Sequence, residues 1–229
     1  MMNSLFVFIF VLILPSLTMA QDDHAKIKPL QHAALASDEF AGNWRWIRQD
    51  TSLWHISEDD LQIMTNGSLW NSENTQKNIL LIKRSDSLES GFVVEVHVDG
   101  HNAMTGRYEH VGLIFYADDD NWITLTLLNH VQDKAQKIML VPEEQGRGRA
   151  DKSSAVVYTE SSVVLRMIYN GSSVSAYYRS PRAVEWRFLG SLAVDDKKRN
   201  FSPGLVAGYN SEGTGHWVSF KTFAFRRLD

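Results

Sequence analysis

From Phe40 onward, apolar residues recur at every second position in short runs, and this alternation limits the fold more than any other feature. Phe92, Val94, Val96 and Val98 alternate with Val93, Glu95, His97 and Asp99. Ile123, Leu125 and Leu127 alternate with Trp122, Thr124 and Thr126, and Val174, Ala176 and Tyr178 with Ser173, Ser175 and Tyr177. Successive side chains of a β-strand point to opposite faces, so each run reads as a strand with one buried face. Further strands are expected at 61–65, 79–83, 111–116, 137–141, 155–159, 163–169, 184–189, 204–209 and 217–225. No stretch longer than two turns carries the 3.6-residue period of an amphipathic helix.

Turn chemistry separates the runs. Asn66-Gly67 and Asn170-Gly171 have the composition of two-residue hairpin turns, because both residue types accept positive φ. Asp118-Asp119-Asp120-Asn121 reads as a hairpin tip, and Gly146 to Gly148 and Gly213 to Gly215 as flexible loops. About a dozen strands at this spacing predict an all-β fold. Two face-packed antiparallel sheets, a β-sandwich, suit that number better than one closed barrel.

The N-terminus has a different character. Leu5 to Leu14 is unbroken apolar sequence, shorter than the roughly 20 residues that cross a bilayer but suited to a signal-peptide core. Pro15 breaks it, and Thr18-Met19-Ala20 supplies small residues before a cleavage point after Ala20. The organisation expected is therefore a signal peptide at 1–20, a polar tether at 21–38 and one domain at 39–229, secreted or periplasmic. A buried N-terminal strand or a membrane anchor is the other reading of the same run. No second long apolar stretch exists, so no membrane contact is expected after cleavage.

Composition excludes several classes. The chain has no cysteine, which removes thiolate catalysis and cysteine-ligated zinc. Its 229 residues are enough to bury a core without disulfides. The net charge is −4, and the densest basic cluster, Lys197-Lys198-Arg199, directly follows Asp195-Asp196 and reads as a solvated turn. A nucleic-acid partner is not expected. No G-x-S-x-G elbow, G-x-G-x-x-G or P-loop occurs, and the histidines lack metal-ligand spacing.

The remaining candidates are carboxylates, imidazoles and aromatics. Glu95, His97 and Asp99 share one strand face and form the best acid/base set for a glycan hydrolase or lyase; an ordinary polar strand surface is the other reading. Asp118, Asp119 and Asp120 offer the oxygens that calcium takes, and equally the acceptors a turn needs for its own amides. No other cofactor is expected. Sugar rings stack their C–H faces on Trp and Tyr, and the chain has 7 of each. Trp122, Tyr177 and Arg166 project away from the core positions of their strands, so together with Glu95 and His97 they are candidates for a glycan groove. His110 is a further ligand candidate; its neighbour Glu109 faces the other side of the strand. Asn66, Asn170 and Asn200 each begin an N-x-Ser sequon, two of them at the turns already named.

Several longer motifs resemble one family. Trp44-Arg45-Trp46, Trp54-His55-Ile56 and Leu61-Gln62-Ile63 are similar to the opening of the concanavalin A-like domain at the C-terminus of family 43 β-xylosidases and its stand-alone relatives. Asn78-Ile79-Leu80-Leu81 is similar to that domain's next hairpin. Glu109-His110-Val111-Gly112-Leu113, followed by Tyr116 and Asp118-Asp119-Asp120-Asn121-Trp122, is the most specific match. Leu165-Arg166-Met167, Asn170-Gly171, Tyr177-Tyr178, Trp186 and Gly204 to Gly208 follow in order. The resemblance implies a jelly roll and a polysaccharide or oligosaccharide partner. In the xylosidases the domain follows a catalytic β-propeller; no propeller lies in this sequence, so their activity is not carried over. The function expected is an exported, non-catalytic glycan-binding or glycan-processing accessory. The other readings are a polysaccharide hydrolase or lyase acting through the Glu95 face, and a structural or protein-interaction module.

Overall fold

The structure, a computed structural model, describes residues 43–58, 60–83, 91–101, 104–130, 134–194, 200–208 and 215–228. The expected signal peptide, the tether, the 195–199 turn and Gly213 lie outside the described residues.

The described elements are strands joined by turns and short 3-10 segments. In chain order the strands are β1 (Trp44–Ile47), β2 (Trp54–Ser57), β3 (Asp60–Met64), β4 (Ile79–Ile82), β5 (Phe92–Asp99), β6 (His110–Asp118), β7 (Asn121–His130) and β8 (Ala135–Glu144). They continue with β9 (Arg147–Gly148), β10 (Ser154–Val157), β11 (Ser162–Tyr169), β12 (Ser173–Arg179), β13 (Arg187–Ala193), β14 (Ser202–Gly208) and β15 (Trp217–Arg227). One sheet runs β1-β4-β14-β6-β7-β8-β10, with β9 added beside β8; the other runs β13-β12-β11-β5-β15-β3-β2. All strand pairs are antiparallel. The result is the two-sheet sandwich that the alternation predicts.

The core lies between the sheets. Val94, Val96 and Val98 of β5 and Leu165 and Met167 of β11 meet Leu113 and Phe115 of β6 and Ile123, Leu125 and Leu127 of β7 in one buried cluster. Phe92 packs edge-on against Phe115 at 4.9 Å between ring centroids and also against Tyr169, and Phe201 joins both. Each buried side chain of this size contributes about 1.5–3 kcal/mol relative to exposure.

The last strand shows how the alternation survives an irregularity. Val218 and Phe220 point inward, and so does Phe223, three residues on. The register against β5 slips between Phe220 and Thr222, so Lys221 is the extra residue of a bulge. A bulge moves the inward set from even to odd positions without losing a core side chain.

Two local expectations are corrected. Asn66-Gly67 does not join a hairpin: Gly67 does take positive φ, 56°, but β3 and β4 belong to different sheets, and 65–78 is a crossing loop. Asn170-Gly171 does turn a hairpin, β11 to β12, with Gly171 at φ 89° and Ser172 as a third turn residue. The strand expected at 184–189 begins only at Arg187, because Arg179 Nη1 donates to the Ala183 carbonyl and the Ala183 amide donates to Ser180, which holds that stretch in turns.

Leu125 is fully buried at the middle of β7. Leu125→Ala is expected to cost about 2–5 kcal/mol, read as a lower urea midpoint with an unchanged denaturant slope.

Candidate functional site

The outer face of the eight-stranded sheet is divided in two by side-chain size. Toward one end it carries Ile79 and Leu81 of β4, Val206 of β14, Ile114 and Tyr116 of β6, Trp122 of β7 and Val141 of β8, a second buried cluster. Loop 65–78 covers that cluster with Leu69 and Trp70. Toward the other end the same face carries small residues, Gly112 opposite Thr126 and Gly208 opposite His110. Among the described residues no loop fills the space above them, and a cavity of about 360 Å³ results.

Each wall has a definite source. β7 supplies the floor with Thr124 and Thr126, and Leu128 and His130 farther along. β6 contributes His110, and Tyr108 stands just before it. β8 adds Met139 and Val141, while Ser68 and Trp70 of the crossing loop and Ala150 and Ser153 after β9 close the sides. The cavity therefore has aromatic and aliphatic walls with a few hydroxyls and two imidazoles.

The Trp70 wall is held rigidly. Glu143 of β8 is fully buried, and its carboxylate accepts from the Asn71 amide at 2.7 Å and the Ser72 amide at 3.3 Å. Burial raises the Glu143 pKa, opposed by those two amides. Ser68 Oγ accepts from the Trp70 amide, and Asn71 Oδ1 accepts from the Gly148 amide. A Cβ on Gly148 would lie 2.1 Å from the Trp70 ring, so only glycine allows β9 this close. Asn71 and Ser72 hold φ of 53° and 62°, and such backbone persists only where surrounding contacts fix it.

His110 is the polar feature with a defined direction. Its Nδ1 lies 2.9 Å from the Tyr108 carbonyl oxygen. A carbonyl only accepts, so Nδ1 carries the proton and, in the neutral ring, Nε2 is an acceptor. Burial lowers the His110 pKa and favours that neutral form. Glu109 faces the other way: its fully buried carboxylate accepts from Thr65 Oγ1, the Gly106 amide and His216 Nδ1, and so ties three segments together.

The residues singled out from sequence are dispersed. Trp122 is 4% exposed and belongs to the covered half of the eight-stranded sheet, 6.0 Å from Trp70 between ring centroids. Glu95, His97, Asp99, Arg166 and Tyr177 lie on the outer face of the other sheet, so a single groove uniting them with Trp122 does not form. Glu95 is 1% exposed and takes the Arg166 guanidinium in an ion pair, Nε to Oε1 at 2.7 Å. Trp186 lies over that guanidinium at 3.9 Å, and Tyr177 is buried beside Val93 and Ile168. His97 is half-buried and Asp99 faces Lys221 at 3.7 Å. The three aspartates turn to separate partners. Asp118 accepts from the Asp120 amide and Asn121, Asp119 pairs with Arg48 and Tyr116, and Asp120 accepts from Ser72. Among the described residues no group of three His, Asp or Glu side chains is placed to hold a metal ion. Of the ligand candidates only His110 lines the cavity, beside His130, which was weighed only as a metal or proton-transfer histidine; Trp70 and Tyr108 were not singled out. The available signal was the row of small outward residues, Gly112, Thr124, Thr126 and Gly208.

Comparison with known proteins gives one consistent result. Residues 35–226 match the model of the β-xylosidase C-terminal concanavalin A-like domain. The fold is similar to the family 43 protein BlXynB of Bacillus licheniformis, at 17% identity and TM-score 0.70, covering 86% of this chain and 39% of that one. It is similar to xylan β-1,4-xylosidase of Bacillus halodurans C-125, at 17% identity and TM-score 0.71, covering 87% and 40%. This chain thus spans about two fifths of those enzymes. A functionally unknown protein from Saccharomyces cerevisiae shares the fold across nearly its whole length, at 15% identity and TM-score 0.64, covering 82% of this chain and 97% of that one. No curated protein matches the chain.

Two predictions follow from these environments. Glu95→Ala leaves a buried guanidinium without its carboxylate and is expected to cost about 3–5 kcal/mol, whereas Glu95→Leu with Arg166→Met together recovers most of the loss; chemical denaturation of both variants decides it. His97, His101 and His110 all have pKa values lowered by burial from 6.5. The folded chain therefore binds fewer protons than the unfolded chain below pH 6.5, and stability present above that pH falls as pH drops through the lowered values. The denaturation midpoint is expected to decline between pH 7.5 and 5 in the parent and to do so less steeply in His110→Gln.

Proposed function

The chain belongs to the family of β-xylosidase C-terminal concanavalin A-like domains, and from that premise we propose that it is a non-catalytic glycan-binding accessory protein. The site of binding is the cavity on the outer face of the eight-stranded sheet. The observation that carries the reading is the placement of the Trp70 and Tyr108 rings and the His110 acceptor around one opening. Sugar rings need both an apolar platform and directed hydrogen bonds, and mostly apolar pockets with a few placed polar groups are the usual form of small-molecule sites. Xylosidase neighbours act on a carbohydrate, which supports a polysaccharide or oligosaccharide partner. Export through the 1–20 segment would bring the protein to such a partner, supported by the Leu5 to Leu14 run and the Thr18-Met19-Ala20 site.

A non-catalytic role fits the carboxylates. Glycoside hydrolysis needs two carboxyl groups facing one bond. Glu95 is closed beneath Arg166 and Trp186, Glu109 is consumed by three donors, and Glu143 anchors a loop. None of them lines the cavity.

Affinity electrophoresis and a glycan array with the mature chain test the proposal. Trp70→Ala and Tyr108→Ala are each expected to weaken binding at least about tenfold, as loss of one stacking or anchoring side chain does; the melting temperature holds in Tyr108→Ala and falls in Trp70→Ala, whose ring also covers the buried cluster beneath loop 65–78. Trp122→Ala is expected to lower the melting temperature. Retained binding in both cavity variants would overturn the site.

A further inference from the structure

We infer that the cavity accepts uncharged glycans and orients them through a hydroxyl that donates to His110 Nε2. The inference rests on the glycan-binding reading above and narrows it to a chemical class.

Charge is the first argument. Among the described residues that line the cavity, none is Asp, Glu, Lys or Arg. Lys137, opposite Leu128 on the same outer face, lies outside the lining; a uronate or sulfate group over Thr124 and Thr126 would give up water without an ammonium or guanidinium in the lining, and burying an unpaired anion is costly. Proteins that take such groups into pockets place Arg or Lys there for charge-assisted, often bidentate, bonds. Arg107 is exposed and lies over the Tyr108 ring at 5.0 Å, outside the lining. A neutral glycan carries no such cost, and its C–H faces suit Trp70, Leu128 and Met139.

The second argument is the polarity of the acceptor. His110 Nδ1 is spent on the Tyr108 carbonyl, so Nε2 presents a lone pair. A ligand group meeting it must donate, which a sugar hydroxyl does and a carboxylate or sulfate does not. The ring position is set from behind. A Cβ on Gly208 would stand 2.3 Å from His110 Nε2 and 2.7 Å from Gln76 Oε1. Gln76 is itself fully buried, and neither of its side-chain polar atoms has a partner. Glycine at 208 therefore lets the His110 ring and the Gln76 side chain pack this closely against β14, which fixes the imidazole that lines the cavity.

The experiment is isothermal titration of the mature chain with arabinoxylan, mixed-linkage β-glucan and galactomannan on one side. Polygalacturonate, alginate and chondroitin sulfate stand on the other, at pH 7.5 and at low and high salt. The expected result is binding of at least one neutral polymer, insensitive to salt, with every acidic polymer weaker by about tenfold or more. His110→Gln and Gly208→Ala are each expected to weaken the neutral polymer by about tenfold while the circular dichroism spectrum holds; the melting temperature holds in His110→Gln and falls in Gly208→Ala, whose added Cβ must displace the imidazole. Gly208→Ala acts by pushing the imidazole, so agreement of the two variants assigns the effect to Nε2. Salt-sensitive binding of an acidic polymer that both variants abolish would keep the glycan pocket and overturn the uncharged class. Acidic binding lost instead in Arg107→Ala would overturn it by placing recognition at the rim. Binding untouched by His110→Gln, Gly208→Ala and Trp70→Ala would overturn the pocket itself, and so would binding of none of the six polymers.

Discussion

The apolar layer between the two sheets is the constraint on which everything else depends. Val94, Val96, Val98, Leu165 and Met167 meet Leu113, Phe115, Leu125 and Leu127 there, all fully buried. Once these side chains are inward, every intervening residue is forced onto an outer face, since the strand offers no third direction. The cavity, the Glu95–Arg166 pair and the Glu109 cluster are all consequences of that sorting. The bulge at Lys221 shows how strictly it is kept: the backbone irregularity is accepted and Phe223 still enters the core.

The outer faces then receive different treatments. On the seven-stranded sheet a buried ion pair is covered by an indole, with Trp186 against Arg166 and Arg179. Such a pair specifies geometry more than it stabilises, because desolvation offsets much of the attraction. On the eight-stranded sheet, half of the face is covered by loop 65–78, and the buried Glu143 carboxylate holds that loop through two backbone amides, with Asp120 and Glu109 bonded to its Ser72 and Thr65 hydroxyls. The other half is left open because its residues are small. The site is thus formed by an incomplete cover on one sheet, with Trp70 standing at the boundary.

Legibility followed the range of the interactions. The inward sets of β5, β7 and β12 were readable because alternation is local. The hairpin at Asp118–Asn121 was readable because the aspartates make the turn's own bonds, as Asp118 does with the Asp120 amide. Asn66-Gly67 misled because positive φ at Gly67 reports local geometry and is silent about whether the next strand joins the same sheet. Motif resemblance placed the fold; His110, the one ligand candidate that lines the cavity, was read from its residue type. Trp70 and Tyr108 were not legible, since nothing near them in sequence marks them off from other surface aromatics.

The sequence by itself determined which residues enter the core and that two antiparallel sheets enclose it, because period two acts over a few residues and needs no partner to be read. Only the tertiary structure decided what happens to the outward residues. Trp122 and Thr126 share one face of one strand; the first is sealed beneath a loop that starts almost sixty residues earlier in the chain, and the second floors an open cavity. Burial of an outward side chain depends on where distant segments cross the sheet, and that is set by packing over the whole molecule.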